Sequence, residues 1–222
     1  MKQLDVLEQL FEANRNEENA VQMEKYLKDH FPFFGIKTPL RRELTKQFFR
    51  ETGILKEPFQ HEFVLELWGK NEREFQAVAL DYISYYKKKL GKADLSLMET
   101  LITTKSWWDT IDMLAQHGVG KIAMDSPEVI PETIEGWAYG ESMWLRRTAI
   151  LFQLKYKEKT DENLLYRYIV ENAGSKEFFI QKAIGWALRE YSKTNAASVS
   201  KFIEENSLPN LSVREGSKYL GK

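Results

Sequence analysis

The chain contains no cysteine, only three histidines, and a formal net charge of -1 over 222 residues. Without thiols it can form no disulfide, no thiolate zinc site and no cysteine nucleophile. His30, His61 and His117 lie far apart, with no HExxH or paired-ligand spacing, so no metal site is expected and no cofactor is implied. Gly120-Lys121 lacks the upstream glycine and the following Ser or Thr of a phosphate-binding loop, and no Gly-x-Ser-x-Gly is present to present a serine nucleophile. No apolar run approaches membrane-spanning length. The N-terminal stretch MKQLDVLEQLFEANRNEENA is amphipathic and acidic, unlike a signal peptide. These absences lead us to expect a soluble, cytoplasmic protein, and a monomer is expected. The balanced charge excludes a uniformly basic protein, so any anionic partner must be held by a local patch.

What is present is helical pattern. Leu4, Leu7, Leu10 and Phe11 form a first stripe, which Val21, Met23, Tyr26 and Leu27 continue. Phe31-Pro32-Phe33-Phe34-Gly35 interrupts it, and Thr38-Pro39 restarts it as N-cap and first helical residue. That helix is expected to expose Arg41, Arg42 and Lys46 and to bury Leu40, Leu44 and Phe48. Helix then follows helix, with breaks at Gly69, Gly91, Gly118, Pro127, Gly140 and Gly174, and no strand alternation or hairpin dipeptide. Segments starting at Phe75, Trp107, Leu145 and Ile180 can be superposed, their starts 32, 38 and 35 residues apart. That irregular two-helix period points to degenerate helical repeats. The class is all-α, as a curved α-solenoid forming a single domain over residues 1–222.

Three stretches carry candidate chemistry. In Thr103–Asp112, Ser106 and Asp109 have capping-pair spacing, which starts a helix whose buried stripe is Trp107, Ile111 and Leu114. Trp108 and Asp112 share another face, roughly 100° away. They form either the lip of a ligand site or a half-buried Trp covering a solvated Asp. In Met143–Leu154, Arg146 and Arg147 sit near the start of a helix otherwise apolar almost all round. They are either a phosphate clamp or arginines paired with Glu141 or a neighbouring acid. The next helix, expected from Ser175 to Thr194, places Lys182, Trp186, Arg189 and Lys193 on one stripe. Aromatic surface between cations suits nucleic acid, though cation–π packing over an exposed Trp gives the same pattern.

Through TTKSWWDTID, WLRRTAILFQLKYK and SKEFFIQKAIGWALREYSKTN, the chain resembles the AlkD-type DNA alkylpurine glycosylases, built from HEAT-like repeats. The likeness extends to YLKDHFPFFGIKTPLRRE and EFQAVALDYISYYKK. It implies that Asp112 lies beside the deoxyribose of the lesion, with Trp108 and Trp186 as the two catalytic-site tryptophans. It further implies that Arg147 contacts phosphate and that Tyr26 lies near the same cleft. With Thr38, Lys182 and Arg189 these make up the expected DNA-binding set on a concave face. Lys37 departs from the family pattern, where Gln is frequent. The partner implied is double-stranded DNA carrying alkylated purines. The reaction implied is hydrolysis of the N-glycosidic bond of N7-alkylguanine or N3-alkyladenine, without a base-extrusion pocket. A non-catalytic protein binding distorted DNA and a protein-interaction scaffold are the alternatives.

Overall fold

The computed structural model describes residues 3–221; Met1, Lys2 and Lys222, the ends of the expected domain, lie outside them. Among the described residues there is no strand, and the all-α expectation holds: the chain is a succession of short helices, as a helical-repeat fold requires. The helices gather into two compact units, one up to Tyr86 and one from Lys87.

The first unit contains α1 (Gln3–Glu12), α2 (Glu17–Tyr26), α3 (Thr38–Thr52), α4 (His61–Gly69) and α5 (Arg73–Tyr86). Leu4, Leu7 and Phe11 are buried at the predicted spacing along α1. Phe11 meets Phe34 and Phe75 with ring centroids 5.7 and 5.6 Å away, and Phe34 lies 5.5 Å from Phe75. Phe34 belongs to the break before α3, which must satisfy its buried backbone without helical bonds. The Glu74 carboxylate on α5 does so, accepting the N–H groups of Phe34, Gly35 and Ile36 at 3.1, 2.9 and 3.1 Å. Burial pushes the Glu74 carboxyl above its ordinary value, while those N–H groups pull it back. Gly35 has φ +82°, and a Cβ there would lie 2.0 Å from the Asn16 carbonyl oxygen, so only glycine fits.

Three expectations change in this unit. Tyr26 and Val21 lie on the outer side of α2, 70% and 48% exposed, whereas Ala20 and Leu27 are buried. Thr38 is the exposed first residue of α3; Lys37 takes the capping position and makes no side-chain cap, because an ammonium offers no acceptor. Arg41, expected outside, is buried 3.2 Å from Asp81, and Leu40 is 40% exposed. The buried stripe is Arg41, Leu44, Thr45 and Phe48, an i, i+3, i+4, i+7 set onto which Arg41 falls and Leu40 does not.

The second unit contains α6 (Leu95–Thr103), α7 (Trp108–Met113), α8 (Gly120–Asp125), α9 (Glu135–Tyr139), α10 (Met143–Leu151), α11 (Glu162–Asn172), α12 (Phe178–Tyr191), α13 (Ala196–Glu205) and α14 (Asn210–Gly216). Side-chain caps set three of these starts: Ser142 accepts from Leu145 N, Asp161 from Leu164 N, and Asn195 from Ser198 N. Between α7 and α8 the chain keeps winding with the wider turns of a π-helix, Leu114–Val119. Ile150, Leu151, Leu165, Ile169, Ile184, Leu188 and Phe202 fill the core joining α10 to α13. Each such side chain contributes roughly 1.5–3 kcal/mol on burial. The segments superposed in the sequence fall on four different helices, α5, α7, α10 and α12.

Candidate active site

α7 starts one residue later than its capping pair suggests. The Ser106 hydroxyl donates to the Ile102 carbonyl at 2.6 Å, closing the end of α6, and the N-cap position of α7 falls to Trp107. Trp107 is extended, with φ -156° and ψ 159°, and precedes the first helical residue, Trp108. Its ring packs 5.8 Å from Trp144 of α10 and 5.1 Å from Phe179 of α12. Ile111 and Leu114 continue inwards and are buried. Trp108, turned away from that stripe, is half-buried and lines a cleft of ≈ 400 Å³.

Asp112, one turn after Trp108, faces the same cleft. It is neither solvated nor loosely held. Arg147 of α10 donates from Nε to Oδ1 at 2.8 Å and from Nη2 to Oδ2 at 2.9 Å, the two-pronged geometry that only a guanidinium supplies. The third arm, Nη1, donates to the Phe179 backbone carbonyl. With side-chain exposures of 5% for Arg147 and 14% for Asp112, the carboxylate is the more open end of the pair. Burial pushes the Asp112 carboxyl above its ordinary value; the Arg147 contact opposes this and the charge of Asp109 adds to it. Arg147 therefore does not stand free: three of its five N–H groups are spent on Asp112 and Phe179, and the acid it pairs with belongs to a neighbouring helix and is not Glu141.

Lys182, Trp186 and Arg189 line the same cleft from α12, as their common stripe predicts, together with Phe178 and Phe179. Lys193 turns elsewhere, to Glu190 at 2.6 Å and over the Tyr219 ring. The structure thus brings together Trp108, Asp112, Arg147, Lys182, Trp186 and Arg189. Tyr26 and Thr38 belong to the first unit, where both are exposed.

The pattern in the sequence missed Glu215 of α14. Its carboxylate stands 3.3 Å from Lys182, 3.1 Å from Arg189 and 2.8 Å from Lys218. Lys218 foremost, and then Lys182, hold its pKa below the ordinary value despite burial. The available signal was Gly185, an interior helical glycine that marks close approach of another backbone. A Cβ there would lie 2.6 Å from Glu215 Cβ and 3.0 Å from the Ser212 carbonyl oxygen. α14 consequently lies directly against α12 and brings Glu215 into the cleft.

The chain has relatives. A family model described as DNA alkylation repair enzyme matches residues 7–220. A solved structure named "Predicted DNA alkylation repair enzyme" from Enterococcus faecalis is 36% identical, with a TM-score of 0.86, covering 94% of this chain and 97% of that one. A structure of smu.31 from Streptococcus mutans UA159 shares the fold at 17% identity and a TM-score of 0.58, covering 81% of this chain and 97% of that one. No curated protein matches the chain significantly.

Proposed function

Because the chain belongs to the DNA alkylation repair enzyme family, we propose that it is a DNA glycosylase that hydrolyses the N-glycosidic bond of cationic alkylpurines in duplex DNA. N7-alkylguanine and N3-alkyladenine are the substrate class, and an abasic site and a free base are the products. The observation that carries this reading is the Asp112 carboxylate, fixed at two points by Arg147 and opening onto a cleft flanked by Trp108 and Trp186.

An alkylated purine already carries a positive charge. When its C1′–N bond breaks, both electrons pass to the base, which leaves neutral and needs no proton from the protein. Positive charge moves instead onto the sugar, as an oxocarbenium-like centre. A preorganised carboxylate beside that sugar stabilises it without reorganisation cost. Arg147 is the positioning residue. Lying on the buried side of the pair, it leaves a dipole whose negative end is the more exposed carboxylate. The faces of Trp108 and Trp186 add cation–π stabilisation of about 0.5–2 kcal/mol each. Water oriented by Asp112 adds to C1′ and releases its proton to solvent.

The charged groups of the cleft are Asp112, Arg147, Lys182, Arg189 and Glu215, which suit a sugar–phosphate backbone better than the edge of a base. This supports recognition through the backbone, with Lys182 and Arg189 as phosphate contacts. The protein acts as a monomer on this reading, and Tyr26 and Thr38 are proposed further DNA contacts. Purified protein incubated with duplex DNA containing N7-methylguanine should release free base, measurable by chromatography. Binding of that duplex without base release would overturn the enzymatic reading and leave a damage-binding protein.

A further inference from the structure

Glu215 is a carboxylate in the cleft that the hydrolytic reading does not use. Its side chain is 10% exposed and contacts three cations, Lys182, Arg189 and Lys218. Lys182 and Arg189 are 38% and 27% exposed, open enough to change partners. To an ammonium or guanidinium, a carboxylate oxygen and a phosphate oxygen are the same kind of acceptor. The residues facing the expected DNA backbone are therefore already holding an anion. α14 cannot withdraw it easily, because Gly185 lets the backbone of α14 lock against α12.

We propose that Glu215 is an internal competitor for DNA phosphate, occupying Lys182 and Arg189 until the backbone displaces it. The proposal rests on the reading of this cleft as a DNA site. On displacement, Lys182 and Arg189 turn to phosphate while Lys218, the nearest of the three at 2.8 Å, stays with Glu215. The carboxylate is then not left unpaired, so the exchange is feasible. The consequence is a weakened hold on every duplex, damaged or intact. Among the lining residues, three cations face two carboxylates, which leaves a single net positive charge for the backbone. Such a balance lets an enzyme leave intact DNA quickly.

The test is a double-mutant cycle on the full chain: wild type, Glu215→Gln, Lys182→Met and the double variant. Affinity for an intact duplex is measured by fluorescence anisotropy over a range of salt, with thermal unfolding on the same preparations. Glu215→Gln should bind about tenfold tighter with a salt slope close to that of wild type, because Lys182 and Arg189 reach phosphate in both complexes and only the competing carboxylate is lost. Lys182→Met should cost at least about threefold more affinity in the Glu215→Gln background than in wild type, because only there is Lys182 uncommitted. Glu215→Asp keeps the net charge but draws it back by one methylene, so it should also tighten binding, and it serves if the Gln variant is poorly folded. Equal or weaker binding by the folded variants, or strictly additive effects, would overturn the proposal. Failure of the glycosylase reading is distinct: wild type binds duplex but releases no base, and the binding cycle still decides the role of Glu215. If wild type and variants alike fail to bind DNA, both readings fall.

Discussion

Replacing Asp112 by Asn changes one atom and removes one charge, and the structure sets what each should cost. Removing one partner of a buried ion pair typically costs about 3–5 kcal/mol, because the survivor is left charged and unpaired. Here the loss should be smaller. Burial already holds the Asp112 carboxyl above its ordinary pKa, so the folded state accepts a neutral group at this position. Asn can still accept from Arg147 through its single carbonyl oxygen, but its amide would oppose the second guanidinium arm. One charge-assisted hydrogen bond of the pair at 2.8 and 2.9 Å is therefore lost. That is about 1–3 kcal/mol, or roughly 2–12 °C in Tm for a chain of this size. Excision should suffer far more. Loss of a preorganised electrostatic group in a partly desolvated site should slow single-turnover base release roughly 10–1000-fold. Excision, duplex affinity and thermal unfolding should be measured on one preparation, well below its Tm. Folded Asp112→Asn protein that excises N7-methylguanine at the wild-type rate would refute the role given to the carboxylate.

The pH dependence carries a sign that the same residue dictates. Excision requires ionised Asp112, so the single-turnover rate should fall as pH drops through a midpoint raised above the ordinary aspartate value, and Asp112→Asn should lack that acid limb. For stability the sign reverses: with the folded pKa raised above the unfolded one, ionised Asp112 costs stability at neutral pH, and the cost disappears as pH falls through the folded pKa. Gly185→Ala should destabilise by about 1–3 kcal/mol, read from denaturant unfolding, since a Cβ 2.6 Å from Glu215 Cβ forces α14 off α12. An unchanged midpoint would show that the two helices are not in the contact described.

Local periodicity determined a good deal. The all-helical class follows from stripes such as Leu4, Leu7 and Phe11, and the common face of Lys182, Trp186 and Arg189 follows from the 3.6-residue turn; both are properties of a single helix. The different orientations of Trp107 and Trp108 were expected from helical rotation, but Trp107 is extended and owes its inward direction to the turn before α7. The partners of these faces could not be read the same way. Asp112 and Arg147 are 35 residues apart, Lys182 and Glu215 are on different helices, and Arg41 is drawn inwards by Asp81 across the first unit. Even the start of α7 lay one residue beyond its capping pair, with Ser106 tied back to Ile102 and Trp107 at the N-cap position. A sequence specifies which groups share a helix face through bonds three and four residues long. Which buried charge meets which counter-charge depends on how helices pack, and here one missing Cβ, at Gly185, decides that Lys182 and Arg189 meet a carboxylate.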